Sequence, residues 1–192
     1  MQDRIKIKHV ETLSADWRTL KKTTFDYRRA DGAWQTMSRE TYGGDHVAVI
    51  LLYDKRRGTV VLTRQFRYAA YACGHSGMMI EACAGMLEGH DPRTCAMREA
   101  EEETGYRVRN VRALFELFMS PGAVSEKLFF FIGEYSPASR IGNGGGLAAE
   151  GEDIEVLELA FDEALAMIER GEIVDGKTIL LLQYARLQRL FE

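Results

Sequence analysis

The segment Ala84–Tyr106, AGMLEGHDPRTCAMREAEEETGY, constrains this chain more than any other. It reads as a helix with both ends marked. Asp91 belongs to the residue types that cap helix N-termini, and Pro92 suits the first helical position, where no backbone N–H is needed. Gly105 suits a left-handed C-terminal cap. Between them lie Glu99, Glu101, Glu102 and Glu103. Glu99 and Glu103, four residues apart, point the same way, and like charges at that spacing destabilise a helix by about 0.2–0.5 kcal/mol. They fall in the last turn, where the helix dipole also disfavours negative charge. Arg98 is spaced to pair with Glu102, which leaves Glu99 and Glu103 without compensation. Three consecutive glutamates ordinarily mean a solvated acidic face. Here the glycine before the helix, Arg98-Glu99 opening the run and Thr104-Gly105 closing it make a pattern rather than a tract. A hard divalent cation with oxygen ligands would explain why helix stability is given up at this place.

The elements around this helix read as a mixture of strands and helices. Up to about Gly44 the chain carries short polar strands, RIKIKHV, TTFDYRRA and AWQTMSRE, with Asp31-Gly32 as a hairpin signal. These strands hold few large apolar residues and need something to lean on, a second subunit being one candidate. After Gly43-Gly44-Asp45 the apolar density rises. HVAVILLY, TVVLTRQFR, MMIEACAG, YRVRNVRALFELFM, KLFFFIGEY and IEVLEL read as strands. SPASRIGNGGGLAAEGED reads as an irregular loop ending in acids, and FDEALAMIERG and DGKTILLLQYARLQRLF as amphipathic helices. No regular strand–helix alternation is present, so an α+β or layered α/β/α fold is favoured over a doubly wound one.

One motif misleads. GEIVDGKT, Gly171–Thr178, fits the phosphate-loop pattern letter by letter. A phosphate loop follows a strand, however, and here the preceding element is a helix. Glu172 and Asp175 would repel phosphate. The stretch is better read as Gly171 ending one helix and Asp175 capping the next. The bulk properties exclude other classes. A net charge of −4 speaks against nucleic acid or an anionic membrane surface as the main partner. No apolar run is long enough to span a bilayer. Three cysteines without paired spacing form neither a disulfide framework nor a zinc site, and with no signal-peptide pattern they fit a cytoplasmic protein. The four histidines, His75 and His90 among them, have no ligand spacing and read as surface or loop residues.

Gly85, Arg98, Glu99, Glu102, Glu103 and Gly105 resemble the landmarks of the Nudix box. The match departs from that box in having Asp91 where a glutamate is usual, one residue fewer before Arg98, and Ala100 and Tyr106 at the bulky aliphatic positions. TVVLTRQFR, MMIEACAGML, LFELFMSPGAVSEKLFFFIGEYS, GEDIEVLEL and GEIVDGKTILLLQYA extend the likeness over nearly the whole chain. They resemble the GDP-mannose pyrophosphatase branch of the family, related to the ADP-ribose pyrophosphatases. The resemblance implies a Nudix-type α/β/α sandwich with a mixed sheet over residues 45–192. It also implies an antiparallel N-terminal strand element, 1–44, exchanged in a homodimer. The implied activity is Mg²⁺- or Mn²⁺-dependent hydrolysis of a nucleotide sugar, GDP-mannose first. ADP-ribose hydrolysis is a second reading and a non-catalytic nucleotide-sugar sensor a third.

The resemblance also implies roles by position. Glu99, Glu103 and the Ala84 carbonyl are implied as metal ligands, completed by Glu152 or Glu150, and Arg98 with Glu102 as the pair that orients them. Glu152, Glu150 and Glu126 are the general-base candidates. Trp17, Ser38, Arg39, Glu40, Arg67, Ala84, Gly85, Met86, Glu103, Glu126, Gly151, Glu152 and Lys177 are the implied substrate contacts, with Trp17 placed to stack on guanine. The resemblance more often has lysine where Ser38 stands, and one charge contact would then be missing here.

Overall fold

The structure, a computed structural model, describes residues 4–192. It divides into two compact units: the chain up to Asp45 together with Phe118–Lys127, and His46–Leu117 together with Leu128–Glu192. The segment Phe118–Lys127 therefore goes with the N-terminal strands and not with the chain that follows them.

The first unit is an antiparallel sheet of β1 (Ile5–Ala15), β2 (Thr19–Arg28) and β3 (Trp34–Gly43) in that order. The hairpin at Asp31-Gly32 joins β2 to β3, and Gly32 has a φ of 88°, which glycine adopts without strain. The first strand runs well past RIKIKHV, with register shifts between Ile7 and His9 and between Thr12 and Ser14. Ile5, Ile7, Val10, Leu13 and Trp34 all remain exposed. The segment Phe118–Lys127 attaches through Tyr42, whose amide donates to Ala123 O (2.8 Å) and whose carbonyl accepts from Ser125 N (3.0 Å).

The second unit is built on β4 (Val47–Asp54), the continuous apolar run of the sequence. Strand side chains alternate between faces, so an unbroken apolar run needs cover on both sides. Val49, Leu51 and Tyr53 enter one core with Phe161, Ala164, Met167, Leu181, Leu182 and Ala185. These come from α3 (Phe161–Glu169) and α4 (Gly176–Leu187). Ala48, Ile50 and Leu52 enter the other core with Cys95, Ala96 and Ala100 of α2 (Pro92–Thr104). The result is three layers around a seven-stranded mixed sheet, α+β in class. Its main order is β10 (Glu155–Ala160), β5 (Thr59–Phe66), β4, β9 (Leu128–Glu134), β8 (Arg109–Leu117). β4 is parallel to β9 and antiparallel to β5.

Two local results differ from the sequence reading. MMIEACAG is two strands, β6 (Met78–Glu81) on β5 and β7 (Cys83–Met86) on β4, so the chain changes partner at Ala82. A short helix, α1 (Tyr68–Ala72), follows β5 where none is expected. Among the described residues no helix is long and apolar enough to cross a membrane.

Helix α2 has the predicted punctuation. The Asp91 carboxylate accepts from Arg93 N (3.1 Å) and Thr94 N (3.2 Å), and Gly105 closes the helix at φ 73°. The glycine-rich loop then explains itself. Gly145 N donates to Glu103 O (2.9 Å), Gly146 N to Glu102 O (3.2 Å), and Ile141 N to Gly105 O (2.8 Å). These bonds satisfy carbonyls that a helix end leaves free. A Cβ on Gly144 would overlap the backbone at Glu103 and Thr104, and one on Gly105 would overlap Gly142. Only glycine lets two backbones approach this closely. Gly105→Ala should therefore cost more than the roughly 1–2 kcal/mol of left-handed strain alone, because the loop must also move. Urea denaturation compared with wild type checks this; a loss no larger than about 1 kcal/mol would contradict it.

Candidate active site

The glutamates of α2 divide by burial. Glu101 is half-buried and pairs with Arg107 at 3.0 Å. Glu102 is half-buried. Glu99 and Glu103 turn into the protein, 8% and 1% exposed, which is not a solvated acidic face. Arg98 pairs chiefly with Glu99, at 2.8 Å, and stands 3.9 Å from Glu102, the partner that helix spacing suggests. The expected i,i+4 pair is thus present but long, and what changes is that Glu99 is compensated too: a buried carboxylate that has lost water gains more from the cation than an acid that keeps its hydration.

Burial dominates the electrostatics of the pair. It pushes the Glu99 carboxyl up to about 7, against the opposing pull of Arg98. It pushes Glu103 up to about 8, with a hydrogen bond from Cys83 pulling down and the charges of Glu99 and Glu152 adding to the rise. The Cys83 thiol is itself raised, by its burial first and then by Glu103. Glu103 Oε2 is buried and has no hydrogen-bond partner. β7 supplies the facing wall, with Ala84 and Gly85 opposite Val49 and Ala48 of β4. A Cβ on Gly85 would overlap the Glu99 carboxyl, so glycine makes room for that group. Met86, next on the strand, accepts from Cys95 Sγ at 3.2 Å through its carbonyl.

An orphaned buried carboxylate oxygen, two acids held side by side and a strand without a side chain at Gly85 fit a hard divalent cation. Glu152 is close enough to raise both carboxyls, and its own Oε2 accepts from Leu147 N at 2.8 Å. Gly151, before it, ends a helical turn at φ 76°. Glu150 lies in that turn, but its side chain is outside the described residues. Among the described residues no three His, Cys, Asp or Glu side chains converge as a finished cage.

The expected cationic contacts are joined by a residue that the sequence reading did not single out. Arg67 Nε donates to Glu81 Oε2 at 2.7 Å, and Lys177 Nζ donates to Glu81 Oε1. Lys177 also reaches Asp175 Oδ1 at 2.9 Å, and Asp175 caps α4 by accepting from Thr178 N at 2.9 Å. A single acid inside the apolar run MMIEACAG was the available signal, since a carboxylate there needs partners.

The remaining predicted residues belong to the first unit. Trp17 is 77% exposed, with the Arg18 guanidinium 5.1 Å from its ring centroid. Ser38, Arg39 and Glu40 line a hollow of about 240 Å³ together with Lys22, which the sequence reading did not include. Ser38 Oγ lies 2.9 Å from Thr24 Oγ1, and Arg39 Nη1 donates to Ser38 O at 2.8 Å. Glu126 is half-buried in an ion pair with Arg18.

A mixed sheet between helical layers, with a buried acid pair on α2 facing the glycine-bearing β7, fits a hydrolase that handles phosphate groups with a divalent cation. The chain belongs to the Nudix hydrolase family: residues 44–182 match the NUDIX domain. Residues 4–42 match the GDP-mannose pyrophosphatase NudK N-terminal domain. Curated relatives include the GDP-mannose pyrophosphatase of Klebsiella pneumoniae, 52% identical over 90% of this chain and 86% of that one. Those of Pectobacterium atrosepticum (50%, covering 100% of this chain and 98% of that one) and Escherichia coli (49%, covering both chains completely) are similar. A crystal structure of an ADP compounds hydrolase shares the fold, with a TM-score of 0.71 at 18% identity over 96% of each chain.

The raised carboxyls carry a stability consequence. Against a reference of 4.5, both are raised in the fold. Their contribution is therefore full below about pH 4.5 and is lost as pH rises through about 7–8. In EDTA the melting temperature should fall over that window. A divalent cation held by the ionised pair should raise it more at pH 8 than at pH 6, Mg²⁺ being the ion to add. Differential scanning fluorimetry of wild type and Glu99→Gln/Glu103→Gln checks this, the variant losing both effects.

Proposed function

We propose that the chain hydrolyses the diphosphate bond of GDP-mannose, giving GMP and mannose 1-phosphate. The observation that carries the reading is the buried, partly orphaned Glu99/Glu103 pair on a helix whose whole surrounding chain matches GDP-mannose pyrophosphatases end to end. Mg²⁺, or Mn²⁺, is the proposed ion, held by Glu99, Glu103, the Ala84 carbonyl and Glu152. Bound there, it would neutralise diphosphate charge and lower the pKa of a water. The chain's own residues do the rest. Arg98 orients Glu99, to which it donates at 2.8 Å. Arg67 and Lys177 bind the anionic substrate, guanidinium suiting two phosphate oxygens at once. Glu152 and Glu126 are the acids proposed to take the proton from attacking water. Trp17, Ser38, Arg39 and Glu40 are proposed for the nucleotide, with Trp17 stacking on the base.

A homodimer exchanging N-terminal strands is proposed because Ile5, Ile7, Val10, Leu13 and Trp34 expose apolar surface on a three-stranded sheet that has β1 as an open edge. We place the enzyme in the cytoplasm, where its three free cysteines, Cys73, Cys83 and Cys95, would stay reduced.

A panel of nucleotide sugars with Mg²⁺, read as phosphate release after a phosphatase is added, should rank GDP-mannose first. ADP-ribose ranking first moves the substrate, and no turnover of any member points to a sensor. Glu103→Gln should lower kcat at least about a thousandfold with the fold retained; near-normal activity at saturating Mg²⁺ would remove Glu103 from the metal set. Sedimentation should give a dimer, and a fully active monomer would end the strand-exchange reading.

A further inference from the structure

Glu81 has no part in the reading above, yet both of its carboxylate oxygens are held by cations. It ends β6 and is 4% exposed. Each of its oxygens takes a cation from a different element: Oε2 from Arg67, at the N-terminus of α1, and Oε1 from Lys177, in the first turn of α4. Holding α4 against β6 does not require this. The Thr178 hydroxyl already accepts from Ala82 N at 2.7 Å, and Asp175 already caps the helix. What Glu81 adds is one anchor shared by two cationic heads from different elements.

The chemistry of each contact leaves the cations usable. The Arg67 contact uses Nε, one of five N–H donors on a guanidinium, so the Nη groups remain for another acceptor. Arg67 is also 43% exposed and close enough to lower the Glu103 carboxyl. Lys177 is only 14% exposed, so its ammonium is partly desolvated and its direction is set by the two acids it touches.

We propose that Glu81 is a positioning residue that sets Arg67 and Lys177 as one two-pronged receptor for the anionic diphosphate-sugar substrate. The inference rests on the nucleotide-sugar reading. Glu81 touches no substrate; it fixes where the two cations meet it. A free lysine and arginine would lose rotamer entropy on binding, and an anchor that has already ordered them removes that cost.

The test is steady-state kinetics with GDP-mannose at saturating Mg²⁺. Glu81→Gln, which keeps shape and removes charge, should raise KM about tenfold, the effect of about one charge-assisted contact. Its kcat should stay within about threefold and its melting temperature within a few degrees. Glu81→Asp, which keeps the charge at shorter reach, should fall between Gln and wild type. In a Lys177→Ala background, Glu81→Gln should raise KM markedly less than in wild type, because one of its two clients is gone. An unchanged KM in Glu81→Gln overturns the proposal, as does an equal effect in both backgrounds. Failure of both Glu81 variants to fold also overturns it, by making Glu81 a folding residue. Wild type that does not hydrolyse GDP-mannose fails at the first assay and strikes the substrate reading instead.

Discussion

The structure depends on keeping two carboxylates, Glu99 and Glu103, out of water at the negative end of a helix. An uncompensated buried charge costs several kcal/mol even after relaxation, roughly. The neighbouring features answer that cost. Arg98 is drawn from its helical partner Glu102 to Glu99. The Cys83 thiol lends a hydrogen bond to Glu103. Gly85 removes the side chain that would fill the Glu99 pocket. Both carboxyls still stay raised, and one oxygen still lacks a partner. Such a site fits a divalent cation.

The second unit treats its buried acids in two opposite ways. Glu103 is left underpaired among other acids, whereas Glu81 is saturated by Arg67 and Lys177. Both fit the proposed substrate: a negative cluster suits a metal ion and a positive pair suits phosphates. The sheet makes them neighbours. β6 and β7 are consecutive, so Glu81 and Gly85 are separated by Ala82, Cys83 and Ala84 alone, one on the strand that pairs β5 and the other on the strand that pairs β4.

Much of this was legible beforehand because it is local. Asp91, Pro92 and Gly105 act on backbone groups within a few residues, so the ends of α2 could be read from the letters alone. The same holds for Asp175 at the start of α4, which is why GEIVDGKT could be recognised as a helix junction and not a phosphate loop. The i,i+4 spacing found the Arg98–Glu102 pair but not the shorter one to Glu99, because burial of Glu99 changes which partner is worth more. GNGGG looked like a featureless loop because its role is contact with the backbone of α2, some forty residues earlier in sequence by rough count. Phe118–Lys127 joins the N-terminal strands through Tyr42, a pairing that no spacing rule reveals.

The sequence by itself determined the capped acidic helix, the apolar strand that demands cover on both faces, and through their motifs the family. These follow from short-range rules of capping, periodicity and residue type. Only the tertiary structure decided which glutamates lose their water, which acid gathers Arg67 and Lys177, and why the loop after β9 must be glycine. Those outcomes depend on distances between segments far apart in the chain, and desolvation, unlike capping, is set by everything packed around a group.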